Sequence, residues 1–312
     1  MKVARTLAEV PREPNSVVTV GTFDGVHLAH REIIRDVVNR ASVKEGRSVV
    51  VTFDPHPRDV VSKSKDPVPL LTTVEERIEQ IGTLSVDVLF IVRFTYEFSR
   101  MSSREFYRDF IVHGTGVDEV VVGYDHMFGR DREAGIQDLV QMGKEFDFSV
   151  FAVHPVTVKG ETVSSTRIRE ALTSGDVAGA AQFLGRPYAL AGTVARGDGR
   201  GKRIGFPTAN LVPVSPQKVI PARGVYAVAA EVNGEHRYGM TNIGVRPTVS
   251  TGEATVIEVH LFDYDRDIYG ETVNVAFLRR LRDEKKFGSL EELTAQLHRD
   301  REEARRTEAG LA

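Results

Sequence analysis

Over the first half of the chain, short unbroken apolar runs alternate with stretches in which apolar residues return every three to four positions. Ser16–Val20 (SVVTV) predicts a strand, and Ile33, Ile34, Val37, Val38 and Ala41 then recur at helical spacing. Ser48–Phe53 (SVVVTF) predicts a second strand and Thr73–Leu84 a helix. Val86–Val92 predicts a third strand, followed by a helix opening at Ser102, with Glu105 at capping-box spacing. Asp118–Gly123 and Phe148–Val153 complete the strands, with a helical stretch near Ile136–Phe146 between them. Strands that are Val/Ile-rich throughout, alternating with helices, predict a doubly wound parallel sheet covered on both faces.

The pattern changes near Gly185–Tyr188, just after a short closing helix at Asp176–Leu184. Beyond it come Ala189–Val194, Val225–Val232, Tyr238–Ile243, Thr255–Phe262 and Thr272–Phe277, separated by Gly, Asn and Asp turns. Asn233-Gly234 between two such runs predicts a hairpin, and several short strands together predict a small barrel or sandwich. Ser289–Arg306 predicts one terminal helix with Leu290, Leu293 and Leu297 on one face.

A length of 312 residues fits two domains at about 150 residues each. With 41% hydrophobic and 27% charged residues, an ordinary globular protein is expected. The net charge of −3 lacks the basic excess of a generic nucleic-acid binder. The absence of Cys excludes disulfides, thiolate zinc sites and Cys nucleophiles. MKVARTLAEVPREPNS lacks the apolar core of a signal peptide, and no apolar run approaches the roughly 18 residues of a membrane span. A cytoplasmic protein without membrane or nucleic-acid partners is expected.

Four polar clusters follow predicted strands in the first half. Gly21-Thr22-Phe23-Asp24-Gly25-Val26-His27-Leu28-Ala29-His30 leads into a helix, whose first-turn N–H groups and dipole favour phosphate. His27 and His30, three residues apart, share one face of that turn, where imidazoles could stabilise charge on a transferring phosphoryl group; two partly exposed polar residues at a helix start or a metal pair remain alternatives. Asp54-Pro55-His56-Pro57 ends the second strand, Gly123–Arg130 (GYDHMFGR) follows another, and Ser164-Ser165-Thr166-Arg167 opens a helix. Hydroxyls, backbone N–H groups and a guanidinium fork suit a nucleoside triphosphate, although Ser164–Thr166 alone could be ordinary capping.

In the second half, the Gly- and Arg/Lys-rich run from Gly197 through Gly201 and Lys202 to Gly205 suits a loop that folds over phosphates, or a solvated basic loop. Thr208 and Asn210 then alternate by two, so extended backbone turns both oxygens to one side, as hard ligands for Mg²⁺ held with ATP. Glu258 lies in a strand-like run among apolar neighbours, on one face with Val256 and His260, and is either solvent-facing or functional.

GTFDGVHLAH and SSTRIR, together with GFPTAN, the Asn242–Thr248 run (NIGVRPT) and the Ile257–His260 run (IEVH), closely resemble the bacterial bifunctional riboflavin kinase/FMN adenylyltransferase (FAD synthetase) family, in order along nearly the whole chain. The resemblance implies an HxGH nucleotidyltransferase domain, Rossmann-like, at 1–184, and a riboflavin kinase domain, a small antiparallel β-barrel with a terminal helix, at 185–312. It implies ATP phosphates on His27 and His30, with Gly21, Phe23, Asp24 and Asp125 contributing to the nucleotide site. Ser164, Ser165, Thr166 and Arg167 would take the leaving triphosphate end, and Phe53, Asp54, Pro55 and Pro57 the flavin. In the second half it implies ATP under Gly197, Gly201, Lys202 and Gly205, Mg²⁺ on Thr208 and Asn210, Glu258 as general base, and flavin near Arg282 and Phe287. Riboflavin, FMN and ATP are the expected small-molecule partners, with FMN and FAD as products. Two departures stand out: Ala29 replaces the Gly of HxGH, and His126-Met127 replaces a pair that in the family often carries Arg. A kinase with a silent N-terminal module and a flavin-binding regulator are the rival expectations.

Overall fold

Five apolar runs of the first half become the strands β2 (Ser16–Val20), β3 (Arg47–Asp54), β4 (Val88–Arg93), β5 (Val117–Gly123) and β6 (Ser149–Val153) of one parallel sheet. The sixth strand is β1 (Lys2–Ala4), which is too short to leave a periodic signal and pairs with β4 at the edge. These facts come from a computed structural model that describes residues 1–62, 66–124, 127, 134–196, 201, 204–248 and 252–309. Asp125, Gly197 and Lys202 lie outside the described residues.

The strand order is β1-β4-β3-β2-β5-β6. From β2 the chain builds outward through β3 and β4, then crosses to β5 on the other side of β2. β2 therefore borders the switch point, where an open α/β sheet offers a crevice beyond its carboxyl ends. All five residues of β2 and the first six of β3 are buried, which explains why these strands read as continuous apolar runs rather than alternating ones. Helix α1 (Leu28–Val43) lays Ile34, Val37 and Ala41 on the sheet, as the spacing predicts.

The chain divides into two compact units, Met1–Ser165 and Thr166–Ala312. In the second, β9 (Tyr188–Ala195), β10 (Ala209–Pro213), β11 (Gly224–Val232), β12 (Glu235–Thr248), β13 (Gly252–Leu261) and β14 (Thr272–Arg282) close into an antiparallel barrel, so the barrel expectation holds over the sandwich. (The two-residue strands β7, Thr157–Val158, and β8, Glu161–Thr162, form a separate ribbon in the first unit.) The hairpin at Asn233-Gly234 forms as predicted: Val232 pairs with Glu235, and both turn residues take positive φ, 51° and 75°.

The terminal helix buries the face that its leucines predict, but only along its later turns. On the terminal helix Leu290–Ala309, the first residue Leu290 is exposed, whereas Leu297 and Ala304 pack with Phe206, Met240 and Phe262, and Asp300 on the same face is buried. The helix turns Asp300 inward because Arg282 on β14 grips it, with Nε and Nη2 at 2.8–3.0 Å from the carboxylate. A buried carboxylate needs such a partner.

Candidate functional site

The loop leaving β2 folds back on itself. Phe23, Gly25 and Val26 all adopt positive φ, and the Phe23 ring tucks under Gly21, where a Cβ would stand 3.1 Å from the ring. Asp24 faces inward: its carboxylate accepts from Leu71 N at 3.0 Å and from Thr72 N at 2.9 Å. Thr72 Oγ1 in turn accepts from Gly25 N at 2.9 Å. The Asp24 side chain thus braces the loop, and its backbone carbonyl accepts from Ser165 Oγ at 2.9 Å. That bond joins two of the predicted clusters, with Ser164 adjacent. Thr166 and Arg167 fall in the second compact unit, exposed in the first turn of the helix Ser165–Ser174.

His27 caps α1, its Nδ1 accepting from His30 N at 3.3 Å. In the neutral ring this bond leaves the proton on Nε2. The two imidazoles stack, with centroids 3.5 Å apart and planes 16° apart. Burial first, then His27 and Arg77, hold the His30 pKa well below its usual 6.5. His30 is therefore neutral at pH 7, and its Nδ1 is buried with no hydrogen-bond partner among the described residues. The free protein thus presents at His30 a neutral ring that can donate or accept but carries no charge.

At the end of neighbouring β3, Phe53 lies edge-on to Phe94 at 5.5 Å and near Phe98 at 6.2 Å. Phe94 N donates to Asp54 O at 3.0 Å, Asp54-Pro55 is cis, and Pro57 starts α2 (Pro57–Val61) behind the His56 cap. A half-buried aromatic wall therefore stands beside the Phe53–Pro57 turn. Phe94 and Phe98 were missed by motif reading, because only the parallel pairing of β3 with β4 brings them there.

In the barrel, β10 pairs antiparallel with β13 so that Asn210 lies opposite Glu258, and β12 places Asn242 opposite Glu258 on its other side. Directly opposed side chains share one face, with Cβ atoms about 5 Å apart. Ile257 and Val259 are buried, so the half-buried Glu258 points from the other face. Asn242 is a second missed neighbour, visible only through strand register. Asn210 Oδ1 is buried without a hydrogen-bond partner among the described residues, an acceptor left over for a cation or donor. Thr208 is exposed, and its Oγ1 would stand 3.3 Å from a Cβ built at Gly201. Gly201 is further packed on Phe206, whose N donates to its carbonyl at 2.9 Å. Gly205 takes φ +80°, which suits Gly in this turn. His260 Nδ1 lies 2.7 Å from Pro207 O, steadying the segment that runs through Thr208 into β10 and Asn210. The Arg282 guanidinium, held by Asp300, stacks over the Phe287 ring at 5.6 Å, so these two predicted flavin residues do meet.

Two family models match in chain order: FAD synthetase over residues 10–167 and riboflavin kinase over residues 184–308. The bifunctional riboflavin kinase/FMN adenylyltransferase of Listeria monocytogenes is 40% identical over 291 residues, spanning 93% of this chain and 92% of its own. Its counterpart in Escherichia coli (strain K12) is 37% identical over 309 residues, spanning 98% and 97%. A crystal structure from Streptococcus pneumoniae, described as a macrolide-efflux protein, is 34% identical and matches with a TM-score of 0.87 over 97% of this chain and 98% of its own. Among the described residues, no helix is long and apolar enough to cross a membrane.

Proposed function

The chain belongs to the bifunctional riboflavin kinase/FMN adenylyltransferase family, and from that membership we propose which residues carry each of its two reactions. It phosphorylates riboflavin to FMN with ATP, then adenylylates FMN to FAD with release of pyrophosphate. What supports the kinase assignment is the cross-strand pair Asn210–Glu258, which sets a carboxylate beside an unpartnered amide oxygen. Glu258 takes the proton of the primary ribityl hydroxyl as its oxygen attacks the γ-phosphorus and ADP leaves. Asn210 and Thr208 hold Mg²⁺, and Gly197, Gly201, Lys202 and Gly205 enclose the phosphates. When bound, the cation neutralises charge on the phosphate oxygens. Arg282 and Phe287 bound the flavin.

For the second reaction, an FMN phosphate oxygen attacks the α-phosphorus of ATP and pyrophosphate departs. His27 and His30 donate to the phosphate oxygens as charge builds, and Ser164, Ser165, Thr166 and Arg167 hold the leaving end. Asp125 contributes to the nucleotide site. Gly21 and Phe23 shape the ATP loop, and Asp24 serves it through its backbone while its carboxylate braces the turn. Phe53, Asp54, Pro55 and Pro57 hold the flavin. Mixing the protein with riboflavin and ATP, with and without Mg²⁺, and separating flavins by chromatography tests this reading. FMN followed by FAD, both dependent on Mg²⁺, is the expected result; FMN formation that persists after chelation removes the metal assignment.

We also place the functional division at residues 1–184 and 185–312. The helix Val177–Leu184 buries Val177, Ala180 and Leu184, and Ala222 N donates to Leu172 O at 3.0 Å, all within the second unit. Each of Val177 and Leu184 contributes about 1.5–3 kcal/mol of burial. Fragment 166–312 is therefore expected to phosphorylate riboflavin at the full-length rate, and fragment 185–312 to do so with a lower Tm. An inactive 166–312 fragment beside active full-length protein would refute independent halves.

A further inference from the structure

Arg77 is only 3% exposed, yet it belongs to none of the motifs above. It is the fourth residue of α3 (Val74–Gly82), directly after the Thr73–Glu76 capping box. Its Nη1 donates to Thr22 O at 2.7 Å, Thr52 Oγ1 at 2.9 Å and Phe53 O at 3.0 Å. Those acceptors are all neutral, and Nε is buried with no hydrogen-bond partner among the described residues. Asp24, Asp54 and Glu75 favour its charge only through space, while burial opposes it.

For stability alone this is a poor placement. Burying a charge without close ionic compensation is costly, and a positive charge in the first turn of a helix opposes the dipole. A locally unfavourable residue kept in a buried place is expected where function needs it. The acceptors indicate the function. Thr22 O belongs to the loop that runs on to His27 and His30, and Phe53 O begins the Phe53–Pro57 turn. Thr52 Oγ1 adds a bond to Thr22 O at 3.1 Å. One guanidinium nitrogen thus ties together the exits of two adjacent parallel strands.

We propose that Arg77 is a positioning residue for adenylyl transfer, fixing the distance between the loop that holds ATP and the turn that holds FMN while keeping a positive charge beneath both. This rests on the reading of those two segments given above. Lys cannot replace it fully, because its ammonium sits one bond nearer the backbone than Nη1 and falls short of the acceptors on both strands. The charge also acts on His30, whose other titratable neighbour is His27.

The test uses full-length Arg77→Met, Arg77→Lys and the gentler Thr52→Val, each assayed for FAD formation from FMN and for riboflavin phosphorylation. A displacement of about 1 Å between reactants costs on the order of a hundredfold, so Arg77→Met should lose about that in kcat for FAD formation, with normal kinase turnover. Losing the positive neighbour raises the His30 pKa, so the acid limb of the Arg77→Met pH profile should move to higher pH. In Arg77→Lys the limb should stay near that of the parent while kcat remains depressed. If Arg77→Met does not fold, Thr52→Val carries the test, with an expected threefold to tenfold loss in FAD formation. The proposal is overturned if folded variants make FAD within twofold of the parent, or if activity loss only tracks the unfolded fraction and the acid limb does not move. His30→Ala run in parallel separates the two readings: full activity there would remove the site assignment itself, whereas a crippled His30→Ala beside a fully active Arg77→Met removes only the role of Arg77.

Discussion

Glu258→Gln should abolish most FMN formation, lowering kcat by about two to four orders of magnitude, the usual worth of a general base. The substitution keeps the size of the side chain while exchanging one acceptor oxygen for an amide donor, and the strand register that sets it between Asn210 and Asn242 is a backbone property. The barrel should therefore stay folded, and a drop in activity reports on proton transfer rather than on unfolding. FAD formation from supplied FMN should be close to that of the parent, since it depends on the other set of residues. Riboflavin phosphorylation at the parental rate in Glu258→Gln would show that the base lies elsewhere. Asn210→Ala gives a graded comparison: its effect should be partly offset by raised Mg²⁺ if its amide oxygen is a ligand, which Glu258→Gln should not show.

Local patterns in the sequence supply those parts of both proposed sites that are contiguous in the chain. The GTFDG loop, the His27–His30 turn and the Thr208–Asn210 alternation are each read from neighbouring residues whose backbone conformation follows from type and spacing. The strands of the parallel sheet were legible because both faces are covered, and the Asn233-Gly234 hairpin because its turn requires positive φ. What was not legible depends on pairing between distant segments. Phe94 and Phe98 join Phe53 only through the β3–β4 pairing, Asn242 joins Glu258 only through the β12–β13 register, and Arg77 looks like an ordinary polar residue of an amphipathic helix until its three acceptors are known. On the terminal helix the leucines name the buried face, but they cannot foresee that Asp300 on that face meets Arg282. In each case a polar or aromatic side chain acts across strands, where hydrophobic periodicity carries no information.

The adenylyltransferase half gives the second large effect. His30→Ala and Arg167→Ala should each cripple FAD formation from FMN and spare riboflavin phosphorylation. Loss of one donor to developing phosphate charge costs on the order of 3 kcal/mol, about a hundredfold in rate. For His30 the free protein supplies a neutral ring, held so by burial and by the neighbouring His27 and Arg77. Its contribution is then a directed hydrogen bond, and His30→Gln, which keeps a donor, should recover part of what His30→Ala loses. Recovery would not be expected if the ring acted as a fixed cation. The His27 cap on α1 is unaffected by the His30→Ala change in principle, because it accepts from the backbone N of residue 30, so the helix start should persist. Ala29 supplies the opposite test. Ala29→Gly removes one methyl group at the start of α1 and should leave adenylyl transfer equal or faster, at about 1 kcal/mol of helix stability. A parent protein that makes FMN but no FAD, together with FAD synthesis in Ala29→Gly, would identify that methyl group as what silences the N-terminal module. Undiminished FAD synthesis in His30→Ala would instead take the phosphate-binding role away from His30.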